Sequence, residues 1–446
     1  MQEETRPASI IEPKVLKGFR DFLPSSEIPK RAIVEKLANH FSCYGFVPID
    51  TPALEYTHVL LGKGGGETDK QIFHFEDNGG RDVALRFDLT VPFARFLAQH
   101  QSQLAMPFKR FHIDKVWRGE NPQKGRFREF TQCDFDIVGV DNAEADYEIL
   151  SMMNSSFSVI GVKNYQFCLA HRGMFNAFLA HLNVQDLSVE ILRIVDKLRK
   201  IGKEEVYAQL VMLTQNERKA QAIIQYISKE DENETFMTTL ERLVTLSGGE
   251  NEHAKRMEKI YGYLLNARIA NHFTLDPSIT RGLDYYTGIV YETFLTELPD
   301  FGSVCSGGRY NNLASLYTKE KLPGVGSSIG LDRLLAALEE LKSPLVESAG
   351  SADVAILNLQ EDHFIHYDRL ARELRLNGYK VAIYLANKKI GAQYKWAESN
   401  AIPFVIMLSD EDIQNQSYTL KELATRKLYN CKNLNEVCAY ITKEKR

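Results

Sequence analysis

The sequence contains no long apolar run, no paired-cysteine motif and no apolar leader at its start. No segment approaches the roughly 20 apolar residues that a membrane-spanning helix requires, so we expect no association with a membrane. The six cysteines are scattered without a CxxC or HExxH motif, which argues against a zinc ribbon and is typical of a reducing compartment. The first fourteen residues contain three glutamates and match neither a signal peptide nor a typical transit peptide. We therefore expect a cytoplasmic protein with no metal site of its own.

Length and charge restrict the remaining possibilities. A chain of 446 residues is too long for one compact core, so two or three domains are expected. The net charge is −5, so no overall positive field indicates nucleic acid, and any such site must be local. The cluster Lys124, Arg126 and Arg128 is a candidate for a local site, and an ordinary solvated loop explains it equally well.

The pattern of apolar residues changes along the chain and divides it into segments. Residues 186–268 have long helical periodicities and almost no strand signal, which is typical of a helical insertion within a sheet domain. Residues 353–446 alternate strongly between strands and helices, as in a small parallel α/β domain. The predicted division is a loose extension at 1–17, a sheet domain formed by 18–185 and 269–341, the insertion at 186–268, a linker at 342–352 and the last domain at 353–446.

The stretch Phe108–Val138 carries the strongest chemical signal. Two alternating strand-like runs flank a polar, basic loop, which predicts a hairpin with Arg118 at the end of its first strand. Alternation places Gln132, Asp134 and Asp136 of the second strand on a single face of the sheet. Two carboxylates and an amide opposite an arginine cost too much desolvation for an ordinary core. We therefore predict that this face holds a small zwitterion or a phosphate.

Four further segments carry motifs. They read ALRFDLTVPFAR at Ala84–Arg95, RGLDYYTGIVYE at Arg281–Glu292, SGGRYNNL at Ser306–Leu313 and GVGSSIGLDRL at Gly324–Leu334. In this order, and together with the hairpin, they resemble the class II aminoacyl-tRNA synthetases, specifically the histidyl-tRNA synthetase family. The resemblance covers essentially the whole chain, and KGFRDFLP at Lys17–Pro24 with the helix that follows resembles motif 1 of class II enzymes.

The resemblance implies a fold and an activity. The fold is of the α/β (α+β) class, with an antiparallel-sheet catalytic domain, a helical insertion and a C-terminal α/β anticodon-binding domain. The activity is that of a ligase that joins L-histidine and ATP to histidyl-adenylate, with Mg²⁺ neutralising phosphate charge, and then transfers histidine to the 3′ end of tRNA(His). Motif 1 forms the dimer interface in class II enzymes, which implies a homodimer.

The resemblance also assigns roles to individual residues. Histidine would be bound by Asp88, Thr90, Gln132, Asp136, Arg281, Tyr285, Tyr286 and Tyr310, ATP by Arg118, Glu120, Phe130, Gly330 and Arg333, and the acceptor stem of tRNA by Lys124, Arg126 and Arg128. Arg118 and Arg281 would be the catalytic cations, because two anions must meet against their mutual repulsion. Asp88 is one methylene shorter than the glutamate that many bacterial members carry at this place.

Several interpretations remain open at this point. Gly326–Gly330 also matches the GxSxG pattern of a hydrolase nucleophile elbow, which needs an aspartate and then a histidine downstream. A non-catalytic paralogue that regulates ATP phosphoribosyltransferase would share the class II body and bind histidine as an effector, although such subunits lack the C-terminal domain and the Arg281 signature. The insertion could clamp the acceptor stem or simply brace the sheet.

Overall fold

The chain forms two compact units. A computed structural model describes residues 11–62, 71–229, 231, 234–280, 286–347, 350–386 and 388–444. The larger unit comprises Met1–Asp21 and Ala32–Leu345, and the smaller unit comprises Phe22–Arg31 and Val346–Arg446. In the described part of the chain, no helix is long and apolar enough to cross a membrane.

The larger unit contains both strands and helices. Its strands are β1 (Val47–Pro48), β2 (Leu54–Tyr56), β3 (His74–Glu76), β4 (Asp82–Leu85), β5 (Phe108–Trp117), β6 (Glu129–Val138), β7 (Tyr165–His171), β8 (Phe273–Leu275), β9 (Ile289–Leu295), β10 (Cys305–Arg309) and β11 (Gly324–Gly330). Its helices are the later part of α1 (Pro24–Cys43), then α2 (Thr57–Leu61), α3 (Thr90–His100), α4 (Ala143–Ile160), α5 (Arg172–His181), α6 (Ser188–Val195), α7 (Leu198–Ile201), α8 (Lys203–Thr214), α9 (Glu217–Ile227), α10 (Phe236–Leu246), α11 (Glu252–Asn266) and α12 (Leu331–Glu340).

One sheet of eight strands dominates the larger unit. Its strand order is β1-β5-β6-β11-β10-β9-β7-β8, antiparallel from β5 to β7 and parallel at both edges. The hairpin β5–β6 sets Arg110 opposite Asp136 and His112 opposite Asp134. The antiparallel sheet that the sequence predicted is therefore confirmed. A separate sheet of three short strands has the order β2-β4-β3.

Strand β6 separates an apolar side of the sheet from a polar one. Phe135 is fully buried, and its ring centre lies 4.9 Å from that of Phe41 on α1. Gln132, Asp134 and Asp136 alternate with such apolar residues and are nevertheless buried. Buried carboxylates need charged or hydrogen-bonding partners, so the polar face of the sheet is where a functional site must be sought.

The described residues between β7 and β8 form the helices α5 to α11, with no strand among them. The last of these helices is joined to α4 by ion pairs. Arg256 on α11 donates from Nε to Oδ2 of Asp146 and from Nη1 to Oδ1 of Asp141, both at 2.6 Å. Arg309 at the end of β10 donates from Nε to the other oxygen of Asp146 at 2.8 Å. These bonds support the bracing alternative for the insertion.

The smaller unit contains a sheet of five strands with flanking helices. Its elements are β12 (Val354–Ile356), α13 (Phe364–Leu376), β13 (Val381–Ile383), α14 (Ile390–Ser399), β14 (Phe404–Met407), α15 (Asp410–Asn415), β15 (Tyr418–Glu422), β16 (Leu428–Cys431) and α16 (Leu434–Glu444). The order is β13-β12-β14-β15-β16. The parallel arrangement that the sequence predicted holds for β12 to β14, whereas β15 and β16 are antiparallel. The five residues between β15 and β16 are too few for a parallel crossover and suffice for a hairpin.

Candidate active site

The polar face carries a cavity of about 340 Å³. It is lined by all the residues that the resemblance assigned to ATP, namely Arg118, Glu120, Phe130, Gly330 and Arg333. Gln132, which the resemblance assigned to histidine, also lines it. The hairpin β5–β6 and its loop supply the first three, the end of β11 supplies Gly330, and the first turn of α12 supplies Arg333. The fold therefore brings two distant parts of the sequence together at one cavity.

Arg118 lies directly after β5 and is held through one of its three nitrogens. Its Nε donates to the carbonyl oxygen of Phe87 at 2.9 Å, and its guanidinium carbon lies 5.2 Å from the centre of the Phe130 ring. Within the described residues, neither terminal nitrogen of Arg118 has a hydrogen-bond partner. A planar fork with two terminal nitrogens left for a ligand suits a phosphate or a carboxylate.

The start of α12, which carries Arg333, is fixed by its acidic neighbour. Asp332 accepts from the backbone N–H of Thr131 at 2.6 Å and pairs with Nη2 of Arg20 at 3.0 Å. Arg333 donates from Nη2 to the carbonyl oxygen of Phe301 at 2.5 Å. Arg20 belongs to the motif 1-like segment, so that segment contributes directly to the position of the helix beside the cavity.

A buried ion pair joins the two strands of the hairpin. Nη2 of Arg110 lies 2.7 Å from Oδ2 of Asp136, and the Tyr310 hydroxyl donates to the other oxygen of the same carboxylate. Burial raises the pKa of Asp136, while Arg110 and Tyr310 act in the opposite direction. The sequence analysis did not assign Arg110, although a hairpin register that sets it opposite Asp136 would have identified it.

The two carboxylate oxygens of Asp88 differ in their contacts. Its Oδ1 accepts from the backbone N–H of Val91 at 3.0 Å, which satisfies an amide in the first turn of α3, where Thr90 is the first residue. Its Oδ2 is buried and has no hydrogen-bond partner among the described residues. Burial raises the pKa of Asp88 to about 6. One oxygen of Asp88 therefore serves the helix and the other remains for a ligand.

Ser328 does not occupy the position of a hydrolase nucleophile. It lies within β11, whereas the nucleophile elbow requires the serine at the sharp turn from strand to helix, and α12 begins only at Leu331. Its hydroxyl oxygen accepts from Nε2 of Gln132 at 2.8 Å. In this structure Ser328 therefore orients the Gln132 amide, and the GxSxG match gains no support.

Two predicted site residues, Arg281 and Tyr285, lie outside the described residues. Tyr286 is described and packs with Tyr310 in a small apolar cluster. A Cβ at Gly308 would lie only 2.9 Å from Cδ1 of the Tyr286 ring, so glycine is required for this close approach. The resemblance assigned Tyr286 and Tyr310 to histidine, and in the structure these two side chains pack in the same cluster.

The basic loop after β5 lines a second, larger cavity of about 890 Å³. Lys124 and Arg126 line this cavity; Lys124 pairs with Glu340 at 2.9 Å, and Arg126 lies 3.7 Å from Glu120. Arg128 differs, because its Nε donates to the carbonyl oxygen of Glu120 at 3.0 Å. Of the three predicted tRNA contacts, two therefore line the cavity and the third holds the loop in shape.

One group of described side chains offers three possible ligand atoms to a metal ion: Asp50, His112 and Asp114. The buried guanidinium of Arg86 lies 2.5 Å from Asp114, and this cation would oppose a metal at the same carboxylate. None of the three lines the cavity that holds the predicted ATP residues.

Gly326→Ala should disturb the part of the site that the resemblance assigns to histidine. A Cβ at this position would overlap Oδ1 of Asp136 and lie 2.8 Å from the carbonyl oxygen of Phe135, so the carboxylate would have to leave Tyr310. We expect histidine affinity, measured by titration calorimetry, to fall at least about tenfold (~1.4 kcal/mol). Gly262→Ala on α11 is the control, because its Cβ would meet no atom within 4 Å and the residue lines neither cavity. An equal loss in both variants would contradict this steric explanation.

Comparison with known proteins extends the similarity over both units. The profile described as "Histidyl-tRNA synthetase" matches residues 18–334, and the profile described as "Anticodon binding domain" matches residues 353–444. The chain is 52% identical to the histidine–tRNA ligase of Treponema denticola over 407 residues, covering 91% of this chain and 90% of that protein. It is 43% identical to the histidine–tRNA ligase of Rhodopirellula baltica over 423 residues, covering 94% and 95%.

A solved structure agrees with the sequence comparisons. The crystal structure of histidyl-tRNA synthetase from Nostoc sp. PCC 7120 superposes with a TM-score of 0.87 at 30% identity, covering 98% of this chain and all of that one. The mixed α/β fold that the motifs implied is thereby confirmed. The chain belongs to the histidyl-tRNA synthetase family of class II aminoacyl-tRNA synthetases and ends in an anticodon-binding domain.

Proposed function

We propose that the polar face of the sheet is the site where this chain, a histidine–tRNA ligase, activates histidine and passes it to tRNA(His). The observation that supports this site is one cavity, which is lined by every residue assigned to ATP and by Gln132. ATP and L-histidine are the other two substrates. The activity belongs to translation, and we place it in the cytoplasm.

The ATP end of the proposed site follows from the chemistry of its lining. Phe130 offers a ring to the adenine, Arg118 offers two nitrogens to the α-phosphate, and Arg333 is assigned to the γ-phosphate. Glu120 and Glu292 also line the cavity. Mg²⁺ is usually held by one or two carboxylates together with substrate phosphates, so these two residues fit the ion, which neutralises phosphate charge when bound.

The histidine end lies further along β6. Asp136 is a buried carboxylate with Tyr310 on one oxygen, which supports the assignment of both to the imidazole ring. A site built from such buried polar groups rejects side chains that leave them unpaired. Asp88 and Gln132 each present an oxygen without a hydrogen-bond partner among the described residues, as binding of the α-ammonium requires.

Adenylate formation needs no general base from the protein. The histidine carboxylate is already an anion, and one of its oxygens attacks the α-phosphorus directly. The new P–O bond forms as the bond to the pyrophosphate oxygen breaks, and pyrophosphate leaves with the electron pair. Arg118, and Arg281 by resemblance, reduce the repulsion between the two anions.

Transfer to tRNA uses the same site. A hydroxyl of the terminal ribose attacks the carbonyl carbon of the adenylate and loses its proton to the departing phosphate. The ester C–O bond forms as the bond between the carbonyl carbon and the phosphate oxygen breaks, and AMP leaves. We assign the acceptor stem to the Lys124 and Arg126 side of the larger cavity and the anticodon to residues 353–446. The catalytic domain is then 18–185 with 269–341, the insertion is 186–268, and 342–352 is the linker.

The exposed edge of the large sheet supports the proposed homodimer. Strand β1, which follows the motif 1-like helix, pairs only with β5 among the described strands. Val47 on β1 is 47% exposed, and Leu54 and Tyr56 on β2, an edge strand of the three-stranded sheet, are 40% and 47% exposed. Apolar strand edges are surfaces that proteins usually cover. Sedimentation equilibrium should therefore give twice the chain mass of 50.8 kDa. A single-chain mass at micromolar concentration would contradict the dimer.

The regulatory-subunit alternative has less support. Such subunits were expected to lack the C-terminal domain, whereas residues 353–444 match the anticodon-binding profile. The RGLDYYTG signature, which these subunits were expected to lose, is intact from Arg281. Both features favour a chain that acts on tRNA.

Exchange of labelled pyrophosphate into ATP, without tRNA, tests adenylate formation. We expect histidine-dependent exchange in the native chain and a loss of about 10²–10³-fold in Arg118→Ala and in Arg281→Ala, because each removes a cation from the reacting anions. Arg31→Ala is a control, since this arginine is 81% exposed on α1. A native chain that binds histidine but catalyses no exchange would exclude the ligase mechanism and favour the regulatory subunit.

Lys124→Ala tests the proposed acceptor-stem contact. Loss of one phosphate-neutralising cation should reduce the slope of log affinity for tRNA(His) against log salt by about 0.7–0.9. Filter binding over a range of salt concentrations measures this slope. Lys319→Ala provides an exposed lysine that lines neither cavity. Equal slopes for the native chain and Lys124→Ala would show that Lys124 does not neutralise a phosphate of the tRNA.

A further inference from the structure

Four buried side-chain oxygen atoms near the polar face have no hydrogen-bond partner among the described residues. One of them, Oδ2 of Asp136, lies 2.7 Å from Nη2 of Arg110, and the other three have neither a hydrogen bond nor an ion pair there. They are Oδ2 of Asp88, Oε1 of Gln132 and Oδ1 of Asp134. Asp88 and Asp134 are only 1% and 2% exposed. All three atoms accept hydrogen bonds and none can donate one while the carboxyls are ionised, so the group that satisfies them must bring several donors.

Asp134 occupies the middle of the polar row on β6. It lies between Gln132 and Asp136, and the register sets it opposite His112 on β5 and Ser328 on β11. Burial disfavours the Asp134 anion, Arg110 and the Ser328 hydroxyl favour it, and the carboxylates of Asp136 and Asp88 oppose it. The one cation that acts on Asp134 is thus the arginine already paired with Asp136, and two other carboxyls lie near it.

Negative charge exceeds positive charge around these oxygens. Arg110 is already paired with Asp136 at 2.7 Å, and Arg118 is assigned to the reacting phosphate. Among the described residues, Asp88 and Asp134 make no ion pair of their own. Burial raises the pKa of Asp88 to about 6 and that of Asp134 to about 7. A cation placed between them would relieve their mutual repulsion.

We propose that Asp134 is a third acceptor for the α-ammonium of histidine, together with Asp88 and Gln132. An ammonium group has three N–H donors and one positive charge, which matches three unpartnered oxygens and a local excess of negative charge. This assignment rests on the function proposed above and adds a residue that neither the motifs nor the cavity lining selected.

The imidazole ring is a poorer match for Asp134. A neutral imidazole has only one N–H donor, and Asp136 with Tyr310 already forms a polar pair further along the strand. His112, opposite Asp134, does not supply the missing charge. Burial lowers the pKa of His112 to about 4, so its ring is neutral at pH 7.

Proton release is a consequence of this arrangement. The charged and titratable groups that face Asp134 among the described residues are Asp88, Arg110, His112 and Asp136, together with the Cys305 thiol on β10. Burial raises the pKa of Cys305 to about 12, so this thiol stays neutral over the pH range considered. In the free site Asp134 is partly protonated near pH 7, and an arriving ammonium lowers its pKa, so a proton leaves as histidine binds. Histidine affinity should therefore rise as the pH increases from about 6 to 8, with a smaller contribution from Asp88.

The test compares three ligands by titration calorimetry on the full-length native chain and on Asp134→Asn. Histidine and histidinol both carry the ammonium, and imidazolepropionate lacks it. Removal of one charged acceptor should weaken histidine and histidinol about 10- to 100-fold and imidazolepropionate less than about threefold. Titrations in two buffers of different ionisation enthalpy should show proton release by the native chain near pH 7 and a clear reduction in the variant.

A carboxylate on the same strand provides the control. Glu129→Gln removes an acid that pairs with Lys115 at 2.7 Å and lines no part of the ATP cavity, so all three affinities should remain. Equal weakening of all three ligands in Asp134→Asn, or no weakening at all, would overturn the assignment. If the native chain bound none of the ligands, the proposed function would fail with it.

A second variant covers the case in which Asp134→Asn does not fold. Asp134→Glu keeps the acid and moves it by one methylene, so it should retain a preference for histidinol over imidazolepropionate at reduced affinity. It should also retain proton release, since the carboxyl remains buried beside the cation. A preference smaller than that of the native chain, with imidazolepropionate binding unchanged, would support an ammonium contact at this position, and an unchanged preference with unchanged affinity would refute it.

Discussion

The buried ion pair between Arg110 and Asp136 is the interaction on which the polar face depends. It joins neighbouring strands at one register position, where neither charge could remain alone without a large desolvation penalty. Asp136 in turn accepts a hydrogen bond from the Tyr310 hydroxyl. Gly326 has no Cβ, which leaves room for the Asp136 carboxylate. Such a pair adds little net stability, because the desolvation of both charges offsets their attraction. Its contribution is a fixed geometry for the groups around it.

In the proposed site, strand β6 serves both small substrates because every second side chain points to the polar face. Phe130 and Gln132 line the cavity assigned to ATP, while Asp134 and Asp136 continue the same row toward the histidine end. Successive members of the row are about 7 Å apart along the strand. In the proposed arrangement the ammonium and the reacting carboxylate lie near Gln132, which lines the same cavity as Arg118. The spacing of one strand thus sets how close the reacting groups come.

The sequence allowed two kinds of prediction: strands from the alternation of apolar and polar residues, and site residues from motifs that resemble a known family. Alternation predicted the hairpin and its polar row, and the resemblance named the residues that line the cavity assigned to ATP. Neither identified Arg110, because an arginine in a strand is ordinarily exposed, and only the register shows that it meets Asp136. The strands β15 and β16 were missed for a related reason: a mixed edge depends on pairing that local patterns do not encode. Arg281 and Tyr285 lie outside the described residues, so their roles rest on the resemblance.

The helical insertion is one segment of the chain between β7 and β8. A segment of this kind can ordinarily be removed without disturbing the sheet. Asp146 prevents this. It is fully buried, and its two oxygens are divided between Arg309 of the sheet and Arg256 of the insertion. Excision of the helices would leave that carboxylate with half of its charge compensation, beside the strand that leads to Tyr310. The helices therefore share a single carboxylate with the catalytic sheet, and a shortened enzyme would need a new cation or a neutral residue at this position.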